Sequence, residues 1–170
     1  AGEFEAGVGD RRAHAFARFL HAARGETDHR PAREAWGGVD LDGDGELDLA
    51  VFVCAGIPGP RVPFACQHVE LIDEVMFDFP ELRFVTRHGC EPWEDLMVKL
   101  MLKWPNLYYS TSAFAPRYYP KAIVDYANTR GADKILYAGY HPMGLSLERI
   151  MTEMPNVAFK DAVWPKFLRE

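Results

Sequence analysis

The chain has 170 residues, 48% of them hydrophobic and 13% aromatic. That is enough for one domain with a core, and too apolar for a disordered chain. The formal net charge is −6 and no Lys/Arg cluster exceeds a pair such as Arg11-Arg12, which argues against nucleic-acid binding because phosphate contacts need a basic face. No apolar run reaches the roughly 20 residues that a membrane helix needs, so no membrane association is expected.

The number and spacing of the cysteines indicate the cellular compartment of the protein. Cys54, Cys66 and Cys90 are odd in number and lack the CxxC spacing of a zinc knuckle. This pattern favours free thiols over a disulfide framework, and free thiols are typical of a reducing environment. A cytoplasmic location is therefore expected.

The chain changes character near residue 48. Residues 1–48 contain no Lys and no Ile and are dominated by Ala, Gly, Arg, Asp and Glu. A helix is predicted over 11–24, with Asp10 as its N-cap and Gly25 as its stop. The rest of this stretch has no usable periodicity, so it is interpreted as a poorly structured or atypical segment before a domain spanning 49–170.

From residue 49 onward the apolar pattern alternates between strand and helix. The predicted strands are 49–54, 82–86, 107–111 and 134–138. The predicted helices are 64–79, 94–104, 119–129, 145–154 and 161–168. Such alternation predicts parallel pairing through crossover helices, in an α/β fold that is either an open doubly wound sheet or an eight-fold barrel. The first strand has no glycine-rich turn after it, which weakens the dinucleotide-binding alternative.

Three stretches resemble one family. Residues 79–93 read FPELRFVTRHGCEPW, residues 104–112 read WPNLYYSTS, and residues 134–143 read KILYAGYHPM. Together they are similar to the "FP-x-L…HGG-x-PW", "YPN-L-Y-x-(D/S)-x-S" and "K-(I/V)-L-(F/Y)-GSD-(Y/W)-P-M" motifs of the amidohydrolase-related (amidohydrolase 2) family. They occur in the family's order, and the resemblance runs from about residue 46 to 170.

The resemblance implies a fold and a chemistry. The domain would be the C-terminal half of a TIM-type (β/α)8 barrel, and the protein a hydrolase or a carbon–carbon lyase (decarboxylase) acting on a small molecule. A divalent metal, zinc or manganese, would sit at the barrel mouth, where it acidifies water or polarises the substrate.

The sequence departs from the family at the metal ligands. No His-x-His occurs anywhere, Cys54 replaces the histidine expected at the end of the first strand, and Tyr140 replaces the family's aspartate. His88 remains and is the expected catalytic residue. Cys54, His88 and His141 would make a rebuilt set of ligands that zinc accepts. The alternative is a neutral, hydrogen-bonded His88 and a buried Cys54 thiol, with an inactive chain.

Two further residues are candidates for substrate binding. Arg61 lies in the loop after the first strand, and its planar guanidinium could form paired hydrogen bonds with a substrate carboxylate. Tyr140 follows the fourth strand. The underlying expectation is that Cys54, His88, Ser112 and Tyr140 end neighbouring parallel strands and gather at one rim.

Half a barrel leaves strand edges unpaired. One hypothesis is a truncated gene product, and an alternative is a homodimer in which two copies close a barrel. A second hypothesis for the function is a non-catalytic barrel fragment that serves as a binding or assembly module.

The acidic loop DLDGDGELD carries a competing signal. Asp40, Asp42, Asp44 and Asp48 occupy positions 1, 3, 5 and 9 of a calcium-type loop, with glycine at position 6. Val51 stands where an EF-hand needs Glu at position 12, and no second copy occurs. Calcium binding and a plain acidic turn both remain open.

Overall fold

The computed structural model describes residues 50–57, 59, 61 and 63–169. The segment 1–48, with its predicted helix and its acidic loop, lies outside the described residues. The following description concerns the described part of the domain.

The four predicted strands form one parallel sheet. They are β1 (Val51–Cys54), β2 (Phe84–Arg87), β3 (Leu107–Ser110) and β4 (Ile135–Leu136). Their order in the sheet equals their order in the chain, β1-β2-β3-β4. The register places Val53 beside Thr86, Thr86 beside Tyr109, and Tyr109 beside Ile135. The prediction of parallel α/β units is therefore confirmed.

Helices follow each strand. They are α1 (Leu71–Asp78), α2 (Glu94–Lys103), α3 (Lys121–Tyr126), α4 (Leu147–Glu153) and α5 (Trp164–Arg169). Short 3-10 turns occupy Ala65–Gln67, Pro116–Tyr118 and Met154–Asn156, and a π-helical turn, Ala127–Gly131, continues α3. The first four helices therefore lie within the ranges that the apolar spacing predicted, and α5 ends one residue beyond its predicted range.

The predicted helix 64–79 begins later than expected. Only its second half is α-helical, because residue 68 is extended with ψ 128°. The Gly56 amide donates to the Gln67 carbonyl at 2.8 Å, and the His68 ring lies 4.0 Å from the Trp93 ring, centroid to centroid. The first half of the stretch is thus used for contacts with the loops after β1 and β2 rather than for helical hydrogen bonds.

Strand β4 is shorter than predicted, with two residues in place of five. The amide of Tyr137 donates to the carbonyl of Phe167 at 3.2 Å, so the backbone leaves the sheet toward α5. Just before the strand, the Lys134 ammonium donates to the carbonyls of Met101 and Trp104 at 2.7 and 2.6 Å. These carbonyls end α2, and such ends need outside donors. Lys134 therefore ties β4 to the helix that precedes β3.

All the crossovers place helices on one face of the sheet. Each strand pairs with the next one in the chain and the strand order never reverses. Right-handed crossovers therefore put every connecting helix on the same side of the sheet. The buried core on this face includes Val53, Phe84, Leu107, Tyr109 and Ile135 from the strands, and Ile72, Met97, Met101 and Ile123 from the helices. The opposite face carries the alternate residues, among them Phe52, Cys54, Val85, Arg87, Tyr108 and Ser110. In a closed barrel this second face would be the interior.

None of the described helices is both long and apolar enough to cross a membrane.

Candidate active site at the C-terminal edge of the sheet

The turn after β2 has an unusual backbone. His88, Gly89 and Cys90 follow one another with φ of 65°, 90° and 61°. Positive φ is easy for glycine but strained for the other two residues, by about 1–3 kcal/mol each. Strain of this kind persists only where neighbouring contacts enforce it, and it is concentrated at functional sites.

Contacts from both neighbouring strands hold this turn. The hydroxyl of the fully buried Tyr109 in β3 donates to the Gly89 carbonyl at 3.2 Å. The Phe114 ring covers Gly89 so closely that a Cβ there would lie 2.5 Å from its Cε2. From the β1 side, the Ile57 amide donates to the Glu91 carbonyl at 2.8 Å. The turn therefore packs between the loop after β1 and the residues of and after β3.

His88 is the centre of the candidate site. Its Nδ1 lies 3.3 Å from the Ser112 hydroxyl oxygen, within hydrogen-bond distance. The Tyr140 ring meets the imidazole edge-on, with centroids 5.7 Å apart and planes at 84°. Residues from the ends of three successive strands are therefore brought together, as parallel pairing requires.

A threonine holds the Tyr140 side of the site in place. The Thr111 hydroxyl donates to the Leu136 carbonyl at 3.3 Å and accepts from the Ala138 amide at 3.3 Å. These two bonds continue the link between β3 and β4 beyond the end of the short strand. They fix the backbone two residues before Tyr140.

The environment favours the neutral form of the His88 imidazole. Burial and then the positive charge of Arg87 lower the pKa of His88, and a hydrogen bond with the backbone of Ser112 only partly opposes them. A neutral imidazole has a free lone pair for accepting a proton near pH 7. The arrangement can therefore act as a general base, with Ser112 orienting the ring.

Two residues at the ends of β1 and β2 lie side by side. Cys54 is the last residue of β1 and aligns with Arg87, the last residue of β2. Both are half-buried. Sequence analysis missed Arg87, although the alternation within β2 could have placed it on the same face as Val85. Cys54 was predicted at this rim, and the structure puts it one strand away from His88.

The other predicted contacts do not meet His88. Arg61 and His141 are both exposed, and neither hydrogen bonds to the imidazole. Tyr140 does contact His88, but through its ring edge. Asp40, Asp42, Asp44 and Asp48 lie outside the described residues.

The described donors do not fit a metal ion. Within the part of the chain that the structure describes, no group of three or more His, Cys, Asp or Glu side chains could hold a metal. Cys54, His88 and His141 are thus not brought into one set of ligands, and the His141 side chain is exposed. A catalytic zinc needs about three protein ligands.

Cys90 yields a prediction about thiol reactivity. It is fully buried, and burial raises its pKa to about 12. Because the thiolate is the reactive form, Cys90 is expected to resist alkylation by iodoacetamide at pH 8, whereas the half-buried Cys54 and Cys66 react. Peptide mass spectrometry measures this, and denaturant should release the third thiol. Modification of Cys90 as fast as that of Cys66 in the native protein would contradict the prediction.

The fold defines a class of protein, since it consists of parallel β/α units of the TIM-barrel type. The amidohydrolase family model matches residues 11–139. The chain belongs to the amidohydrolase family. The match crosses residue 48, where the sequence changes character, and ends before α4.

Solved structures agree on the fold. The chain is similar to an uncharacterised TIM-barrel protein of Bordetella bronchiseptica, with a TM-score of 0.62 and 26% sequence identity. The similarity covers 71% of this chain and 43% of that one, so the chain spans less than half the length of that barrel protein. No curated protein shows a significant match to the chain.

Proposed function

We propose that this chain carries the proton-transfer part of an amidohydrolase-type active site that hydrolyses, or decarboxylates, a small molecule. The observation that carries the proposal is the His88 imidazole, neutral and half-buried, held between Ser112 and Tyr140 at the C-terminal edge of a parallel sheet. This edge is where enzymes of the barrel class place their reacting groups.

The chemistry needs one proton to move twice. In hydrolysis, His88 takes a proton from the attacking water while the water oxygen bonds to the substrate carbonyl carbon. The same proton is then given to the leaving nitrogen or oxygen as its bond to carbon breaks. In decarboxylation, the neutral His88 first takes a proton from water, the carbon–carboxylate bond breaks with loss of CO2, and His88 then gives that proton to the carbon, leaving hydroxide. Ser112 keeps the ring in one orientation during either step.

Amidohydrolases are typically metal-dependent, and zinc or manganese would supply Lewis-acid chemistry. The described residues do not fit such an ion, so no step is assigned to one here. We expect Cys54→Ala and His141→Ala to leave the zinc and manganese content of the purified protein unchanged, because neither residue belongs to a ligand group among the described residues. Elemental analysis by inductively coupled plasma mass spectrometry measures this. A loss of stoichiometric metal in either variant would contradict the prediction.

A substrate panel tests the catalytic proposal. The full chain is assayed with aryl esters, anilides and unsaturated carboxylic acids, with and without added Zn²⁺ or Mn²⁺. We expect turnover of one class and a fall of about 100-fold in kcat/KM for His88→Asn, the lower end of what a lost general base costs. The matched control is His141→Asn, since His141 is exposed and does not hydrogen bond to His88. Equal activity of wild type and His88→Asn would contradict the proposal.

A second candidate is a non-catalytic barrel module. It is favoured by the lack of a three-donor metal group among the described residues. It predicts no turnover in the same panel, with or without metal, while the protein still unfolds cooperatively in guanidinium chloride.

We also propose a homodimer that completes the barrel. Among the described strands, β1 and β4 each pair on one side only, and four strands are half the number in a closed barrel. Light scattering coupled to size-exclusion chromatography should give twice the 19.3 kDa of one chain, and a strict monomer would overturn this. The three free cysteines support a cytoplasmic location.

A further inference from the structure

Arg87 has a place in the fold that its neighbours define. It is the last residue of β2, aligned with Cys54 of β1, and it directly precedes His88. The residues that pack against the helices in β2 are Phe84 and Thr86, so Arg87 lies on the other face, with Val85. This is the face that forms the interior in a closed barrel.

The guanidinium of Arg87 is unpaired within the part of the chain that the structure describes. It has no hydrogen bond or ion pair with any residue in the described ranges 50–57, 59, 61 and 63–169. Four other cations in these ranges form ion pairs, namely Lys103 with Asp73, Lys121 with Asp125, Arg149 with Glu153, and Lys166 with Asp133. The last position of β2 therefore holds a half-buried cation whose five donors meet no acceptor among the described residues.

Such a cation is costly unless something compensates it. Partial burial removes water from the charge, and a carboxylate is the partner that best matches the planar fork of arginine. The charge is also close enough to His88 to affect the imidazole, because Arg87 is one of the two causes that lower the pKa of His88. A ligand held by Arg87 would thus lie beside the proton-transfer group.

We propose that Arg87 binds a carboxylate of the substrate and so makes this a site for anionic acids rather than neutral amides or esters. The inference rests on the proposed function only in placing the substrate at this edge of the sheet. Ser112 lies next to His88 and supplies a further hydroxyl donor on the same side. Sequence analysis gave this role to Arg61, but Arg61 is exposed in the loop after β1, whereas Arg87 adjoins His88.

A binding experiment tests the proposal without any turnover. The probe is benzoate, with benzamide as the neutral molecule of the same shape, titrated into the ¹⁵N-labelled full chain at constant ionic strength. We expect saturable benzoate shifts centred on the amides of Gly89 and Ser112, and little response to benzamide. Charge-assisted hydrogen bonds are strong enough that Arg87→Gln should raise the benzoate Kd about tenfold or more.

Two further variants make the test specific. Arg83→Gln removes an exposed arginine just before β2, at the opposite edge of the sheet, and should leave the Kd within about twofold, as expected for a screened surface charge. Arg87→Lys keeps the charge but loses the fork, so its Kd should fall between those of wild type and Arg87→Gln. If Arg87→Gln fails to fold, the Kd of Arg87→Lys still tests whether the guanidinium binds the carboxylate.

The outcomes separate the two proposals. The carboxylate site is overturned if benzoate does not bind. It is also overturned if wild type and Arg87→Lys have the same Kd for benzoate, or if benzamide binds as tightly as benzoate. Arg87-dependent binding by a chain that turns over nothing in the substrate panel supports the carboxylate site and overturns only the catalytic proposal.

Discussion

Gly56→Ala is expected to destabilise the protein by about 2–6 kcal/mol, through two separate costs. Gly56 has φ +103°, where an alanine is strained by about 1–3 kcal/mol. A Cβ there would also lie 2.9 Å from backbone atoms of Cys90 and Glu91. Backbone cannot rotate away as a side chain can, and forced overpacking of this kind adds about 1–3 kcal/mol. Denaturation by guanidinium chloride measures the change in the free energy of unfolding.

Two other glycines separate these costs. Gly144 has φ +94° but no heavy atom within 4 Å of its Cβ position, so Gly144→Ala should show the backbone strain alone, about 1–3 kcal/mol. Gly59 has neither feature and lies three residues from Gly56, so Gly59→Ala should be close to neutral. Equal effects of all three substitutions would contradict the close approach of the loops after β1 and β2.

Tyr109→Ala is expected to cost about 3–5 kcal/mol, the range for removing a large buried aromatic side chain. Tyr109 is fully buried among the residues that join β3 to the helices. Tyr109→Phe keeps the ring and loses only the hydrogen bond to the Gly89 carbonyl, so it should cost about 1 kcal/mol. The same denaturation experiment measures both variants.

The neighbouring tyrosine provides the matched control. Tyr108 is half-buried and points to the opposite face of the same strand. Tyr108→Ala should therefore cost clearly less than Tyr109→Ala, because less of its surface leaves water on folding. A larger loss for Tyr108 would mean that the faces of β3 are assigned the wrong way round.

Much of the fold could be predicted because the strands here are short apolar runs between clear breaks. Pro80 and Pro105 end helical spacing just before β2 and β3, and proline forces such breaks. The helix predicted from residue 64 was wrong in its first half. In that half, His68 and Phe64 pack against Trp93, which is distant in sequence. Tertiary contacts of this kind override local spacing.

The candidate site was predictable only in part. His88 and Tyr140 follow predicted strands, so parallel pairing alone brings them to one edge. The left-handed turn could not be predicted, because only a few per cent of residues other than glycine adopt positive φ, as His88 and Cys90 do. Arg87 was missed since a charged residue at the end of a strand usually faces solvent. Its significance depends on the absence of an ion-pair partner in the described residues, which only coordinates reveal.

The central claim is that successive strand ends converge on His88. Nuclear Overhauser effects in the full chain with labelled His and aromatic side chains test it directly. Cross-peaks between the imidazole protons of His88 and the ring protons of Tyr140 are expected, given centroids 5.7 Å apart. The His68–Trp93 pair, with centroids 4.0 Å apart, serves as the internal reference. Clear His68–Trp93 peaks without any between His88 and Tyr140 would contradict the account.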